Sequence, residues 1–216
     1  MSTKSATPLD RKELPQKDRI AAIAAELFAE RGYRGITNRE IAAAVGLGLG
    51  TVHHHVGTKP ELYQLVYRSF CEEVDSFLCK LLQQITEAPP VGEEALHKLL
   101  NEVVSETVDF LRMRPVLVRF LMRHQTECSD DFADMGPGLS RGLYDTILGF
   151  LEKAKEEGTI TLKVHPSWFL RGIYLLLFGY FGLENSRNAP EDAPKDCEGL
   201  KQFLYTYICE MLDLKW

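Results

Sequence analysis

Three consecutive histidines, His53-His54-His55, follow a glycine ladder, Gly46-x-Gly48-x-Gly50-Thr51. Imidazoles bind metal ions, but successive residues on a helix point about 100° apart, so three in a row cannot converge on one ion. A glycine-rich run ending in threonine cradles phosphate when a lysine stands before the hydroxyl residue and a strand leads in. Here Gly50 directly precedes Thr51, and the sequence leading in has a helical period. No Ser/His/Asp or Cys/His pair stands in a catalytic setting. No metal site, nucleotide loop, catalytic residue or cofactor is therefore expected, and these side chains are read as a solvated surface that meets another molecule.

The elements around them say what that surface is. Ile20, Ile23, Ala24, Leu27 and Phe28 form one apolar stripe on a helix from Lys17 to Arg31, closed by Gly32. Thr37-Asn38-Arg39-Glu40 is a capping box opening a short helix with Ile41, Ala42 and Val45 inward. Gly46 breaks that helix, and another covers Leu49–His55. Ala42 lets a second helix cross closely, Gly46 allows the turn, and Leu47 with Val52 plugs the angle. This is helix-turn-helix logic, in which the second helix enters the major groove of DNA. A second capping box, Thr58-Lys59-Pro60-Glu61, opens a long helix that carries Leu62, Leu65, Val66, Phe70, Val74, Phe77, Leu78 and Leu81.

The stretch from about residue 19 to 66 resembles the N-terminal head of the TetR family of regulators. The resemblance is carried by Ile20, Ala24, Phe28, Gly32, Tyr33, Thr37, Ile41, Ala42, Gly46, Gly50, Thr51, Lys59 and Leu62. It implies that Thr37, Thr51, His53 and Lys59 hold phosphates, and that Arg39, Gly50 and His54 face bases or the adjacent backbone. Phosphate contacts position such a head, and base contacts specify sequence. Taken singly, Thr37 and Thr51 also read as helix caps and surface polar residues. The chain departs from the family in three places. His53 and Val56 stand where the family has Tyr and Phe, and Gly48 stands where it often has Ser. A histidine, unlike a tyrosine, can gain charge near neutral pH.

Charge is divided along the chain. The net charge is −6, yet residues 1–60 hold nine Lys and Arg against six Asp and Glu, a net of +3, leaving −9 for the rest. A basic head on an acidic body can dock one end on phosphates. Residues 1–16 read as a disordered tail, polar and interrupted by Pro8 and Pro15, with no secretory signal. Cys71, Cys79, Cys128, Cys197 and Cys209 form no C-x-x-C pair and suit idle thiols in a reducing compartment. The longest apolar stretch, Trp168–Leu183, is interrupted by Arg171 and shorter than the ~20 residues of a membrane helix. The expected location is cytoplasmic.

The body should add helices at about 93–113, 115–127, 137–157, 166–186 and 197–214, with a loop at 188–194. The penultimate helix is apolar nearly all round, and the last carries a regular apolar stripe. Trp168, Leu176, Tyr180, Phe203, Leu204, Tyr207 and Met211 are candidates for a four-helix interface between two copies, the alternative being an intrachain core. The resemblance also implies a ligand cavity among the middle helices. Phe110, Met113, Phe120, His124, Tyr144 and Trp168 are its candidate lining, for a mainly apolar small molecule.

The expected fold is all-α: a tail at 1–16, a three-helix helix-turn-helix head at 17–62 and a helical ligand-binding and dimerisation body at 63–216. The expected function is repression of transcription by a homodimer on palindromic double-stranded operator DNA, released by a small molecule. An activator or structural protein without ligand, and a small helical enzyme, are the alternatives.

Overall fold

The computed structural model describes residues 14–127, 132, 135, 141–183 and 197–214. Residues 1–13 of the expected tail, Cys128, the expected helix start at 137–140 and the loop at 188–194 lie outside the described residues. Among the described residues the chain is all-α, with nine helices and no strand. They are α1 (Gln16–Arg31), α2 (Asn38–Val45), α3 (Leu49–Val56), α4 (Lys59–Glu87), α5 (Glu93–Arg112), α6 (Pro115–Glu127), α7 (Arg141–Glu156), α8 (Pro166–Leu183) and α9 (Cys197–Met211).

Local chemistry sets the ends of the head helices. Gly32, at φ 71°, donates its N–H to the Phe28 carbonyl and stops α1. Gly46 takes the left-handed conformation at φ 75°, and the Leu47 N–H reaches back to the Ala42 carbonyl. A residue with a Cβ would be strained there, so glycine is what turns the chain from α2 into α3. Thr58 caps α4: its N–H and hydroxyl donate to the Glu61 carboxylate at 2.7 Å each, and the Glu61 N–H donates back to the Thr58 hydroxyl at 3.4 Å. At the other end of the chain the last helix is shorter than its apolar period suggests. Asp213 adopts φ 54°, Leu214 donates to the Cys209 carbonyl, and the helix closes at Met211 instead of running to 214.

The chain forms two compact units. The first takes in α1, α2, α3, the start of α4 to Val74, and residues 113–140 with α6. Its core joins α1 to α6. Phe28 and Phe120 are almost fully buried, and Tyr63 packs edge-on to Phe28 at 5.1 Å and tilted on Phe120 at 4.9 Å. Arg123 of α6 donates to the carbonyls of Ala29 and Glu30 at 2.9 Å each, and pairs with Glu127. A cation at the C-terminal end of α1 meets the negative end of the helix dipole. His124 is 3% exposed. Its Nε2 lies 3.3 Å from the Met135 carbonyl and its Nδ1 3.2 Å from the Tyr63 hydroxyl. A carbonyl only accepts, so Nε2 carries a proton, and in the neutral ring Nδ1 accepts from Tyr63.

The second unit holds α4 from Asp75, α5, α7, α8 and α9. Val104, Val108 and Leu111 of α5 and Leu200, Leu204, Ile208 and Cys209 of α9 are buried. Lys201 bridges Asp109 and Glu198 at 3.1 Å each. Phe77 stacks on Phe110 with centroids 4.1 Å apart. Gly172 lets the Tyr207 hydroxyl approach to within 3.2 Å of where a Cβ would stand.

Candidate nucleic-acid interface

α3 lies against α1 and α2 through its buried Val52 and Val56. With those two inward, the helix turns Leu49, Gly50, Thr51, His53 and His54 outward, all of them exposed. His55 is half-buried, its ring edge-on to that of His54 at 5.4 Å. Arg39, also exposed, extends from the first turn of α2. Lys59 stands half-buried at the first position of α4. Six of the seven expected contact residues are thus outward-facing side chains or bare backbone on α2, α3 and the turn before α2, with Lys59 at the start of the next helix.

Thr37 is exposed but engaged. Its N–H and its hydroxyl both donate to Glu40 Oε2, at 2.8 and 2.7 Å, while the Glu40 N–H donates to the Thr37 hydroxyl at 3.3 Å. Arg31 donates to the other carboxylate oxygen at 2.7 Å and to the Gly35 carbonyl at 2.9 Å. Hydrogen bonds from Thr37 and then from Arg31 hold the Glu40 carboxyl down to about 2. A phosphate could accept a hydrogen bond from the Thr37 N–H or hydroxyl only after displacing Glu40. The Glu61 carboxyl is likewise lowered, first by its bonds from Thr58 and in smaller part by the nearby His53.

Lys59 has a partner that its distance in sequence conceals. Its Nζ lies 4.1 Å from the centroid of the Tyr33 ring. Tyr33 in turn stands edge-on to Phe132 at 4.9 Å and to Tyr63 at 5.1 Å. Partial burial lowers the Lys59 pKa, and the negative charge of Glu40 acts in the opposite direction. Tyr33 and Glu40 are therefore supports of this surface that stand outside the set of expected contact residues. The capping-box pattern contained the signal for Glu40. No spacing rule relates Tyr33 to Lys59.

The candidate ligand-lining residues divide between the units. Phe120 and His124 are buried in the first, and Met113, also there, is 60% exposed. Phe110, Tyr144 and Trp168 lie in the second: Phe110 is buried against Phe77, Tyr144 is half-buried and Trp168 is 69% exposed. Of the candidate interface residues, Trp168 and Phe203 are exposed, whereas Leu176, Tyr180, Tyr207 and Met211 are half-buried. Leu204 is buried inside its own chain and belongs to the core of the second unit, not to an outer face.

An eight-residue helix presenting a polar arc, braced by a capped helix across a left-handed glycine, defines a helix-turn-helix protein. Residues 20–66 match the model of the bacterial regulatory proteins of the tetR family. The HTH-type transcriptional repressor KstR2 of Rhodococcus jostii (strain RHA1) is 37% identical over 59 residues, 27% of this chain and 29% of that protein. The matched stretch thus spans less than a third of that relative's length. IcaR, the negative transcriptional regulator of the biofilm operon icaADBC in Staphylococcus aureus (strain Newman), is 23% identical over 180 residues, 82% of this chain and 93% of that one. The crystal structure of AibR in complex with isovaleryl coenzyme A and operator DNA shares the fold, with a TM-score of 0.62 and 15% identity over 93% of this chain and all of that one. Among the described residues no helix is long and apolar enough to cross a membrane, and no group of three His, Cys, Asp or Glu residues is placed to hold a metal ion.

Proposed function

We propose that this chain is a cytoplasmic transcriptional repressor that binds a palindromic operator as a homodimer and is released by a mainly apolar small molecule. The observation that carries the reading is the exposed arc of α3 beside Arg39 and Lys59, with the remainder of α3 buried against α1 and α2. In this reading Thr51, His53 and Lys59 meet phosphates, while Arg39, Gly50 and His54 face base edges or the adjacent backbone. Thr37 joins the phosphate contacts where DNA displaces Glu40. Trp168 and Phe203, exposed and apolar, are the centre of the face that a second copy covers, with Leu176, Tyr180, Tyr207 and Met211 around them.

The repressor names of KstR2 and IcaR support repression. A structural neighbour solved with both isovaleryl coenzyme A and operator DNA supports a site for a small molecule in a DNA-binding protein of this fold. The ligand acts only through its differential affinity for the DNA-competent and released states, so operator DNA must weaken ligand binding by the same factor.

Selection of duplexes from a random pool by the full-length protein tests the reading. The expected product has dyad symmetry, with half-sites about one helical turn apart, ~34–36 Å. A pool without an enriched sequence, or an enriched sequence without a dyad, would defeat it.

A further inference from the structure

Leu49 is the odd member of the exposed arc of α3. It is 41% exposed. A lone exposed leucine is common on protein surfaces, but the setting of this one is not. Both of its neighbours are glycines, and the fold requires neither. Gly48 has φ −66°, and Gly50 is absent from the positive-φ glycines. A Cβ on Gly50 would meet nothing within 4 Å, and one on Gly48 would make only an ordinary contact of 3.8 Å with the Thr51 hydroxyl.

Neither glycine is the most stabilising choice for the helix it serves. Gly50 has poorer helix propensity than alanine, and Gly48 leaves α3 without a side-chain cap. Their effect is to strip the start of α3 to backbone on either side of one isobutyl group. This inference rests on the reading that α3 enters the major groove. There the first turn of the recognition helix meets base edges. The bare backbone can approach closely, and Leu49 is the side chain that arrives. It offers no donor or acceptor. The major-groove edges of the four bases present one apolar group, the C5 methyl of thymine.

We propose that Leu49 reads a thymine C5 methyl group in each half-site, and that Gly48 and Gly50 permit the approach. Polar discrimination then falls to Arg39 and His54, and the choice of an A·T pair at the Leu49 position is made by van der Waals contact alone.

The test uses the full-length protein and a duplex recovered by selection. Its thymines are replaced one symmetric pair at a time by deoxyuridine, which keeps the pairing with adenine and lacks the methyl. At one pair the wild type should lose about fourfold in affinity per methyl removed, the value of one buried carbon. Leu49→Ala should bind the parent duplex more weakly and be indifferent to that replacement. Gly50→Ala should raise the melting temperature while lowering the affinity, opposite signs that a purely structural glycine would not give. A flat deoxyuridine scan, or a sensitivity that persists in Leu49→Ala, overturns the assignment while leaving DNA binding intact. Failure to select any duplex would instead remove the DNA reading, and this one with it.

Discussion

The ammonium group of Lys59 rests 4.1 Å above the centre of the Tyr33 ring, across the junction between the helix-turn-helix and the start of α4. The ring quadrupole attracts the cation, and the edge contacts from Phe132 and Tyr63 keep the ring from turning away. Lys59→Ala should weaken binding to all duplexes alike and lower the slope of log affinity against log salt by about one. Tyr33→Phe retains the ring and should keep the wild-type salt slope. Tyr33→Leu should cost roughly 0.5–1 kcal/mol of binding on every duplex. Titrations of operator and random DNA across a salt series check all three, and an unchanged slope in Lys59→Ala would refute the phosphate contact.

Arg39 should act in the other register. Its loss in Arg39→Ala is expected to blunt the preference for selected over random duplex by ~1–3 kcal/mol, the value of a bidentate base contact. Affinity for random DNA should barely move. Equal weakening on both duplexes would reassign Arg39 to the backbone.

Glu40 makes the cap of α2 sensitive to acid. Its carboxyl titrates at about 2 in the folded chain, below the ordinary 4.5. A depressed folded-state value contributes stability that is complete above the unfolded value and is lost as pH falls through the folded one. Glu40→Gln should therefore melt at a lower temperature than the wild type at neutral pH. The difference should shrink between about pH 4.5 and 2. Thermal melts followed by circular dichroism across that window would show it. A difference independent of pH would mean that the capping geometry matters and the charge does not.

The outer and inner residues of the last two helices should separate cleanly. Trp168→Glu combined with Phe203→Glu places charge on exposed apolar positions. It should give a folded monomer by light scattering with much reduced affinity for a palindromic duplex. Leu204→Ala, at a buried position, should instead cost ~2–5 kcal/mol of stability in urea unfolding. A double variant that stays dimeric would place the subunit contact elsewhere.

Much of the head was legible because its signals are local. The Thr37–Glu40 and Thr58–Glu61 boxes and the left-handed Gly46 each act within a few residues, and helix starts and stops follow from them. The helical period of α6 announces an apolar face, but periodicity names no partner. That Phe120 meets Phe28, that Tyr63 donates to His124, and that Arg123 holds the Ala29 carbonyl are pairings across 60 to more than 90 positions, set by packing alone. The same limit applies to the candidate ligand residues. Aromatic side chains at helical spacing look alike whether they fill a core, as Phe120 does, or stand open, as Trp168 does.

The grip of Arg123 on the end of α1 bears on how such proteins can be recombined. A hybrid regulator made by cutting the chain just after the helix-turn-helix would transplant α1 without the cation that caps it, and would bare the rings of Phe28 and Tyr63. The portable piece is discontinuous: one stretch ending near Val74 and another beginning near Met113. Heads exchanged between relatives should therefore travel with their own α6. Where they do not, Arg123 and Phe120 mark the two positions at which the graft must first be matched to its host.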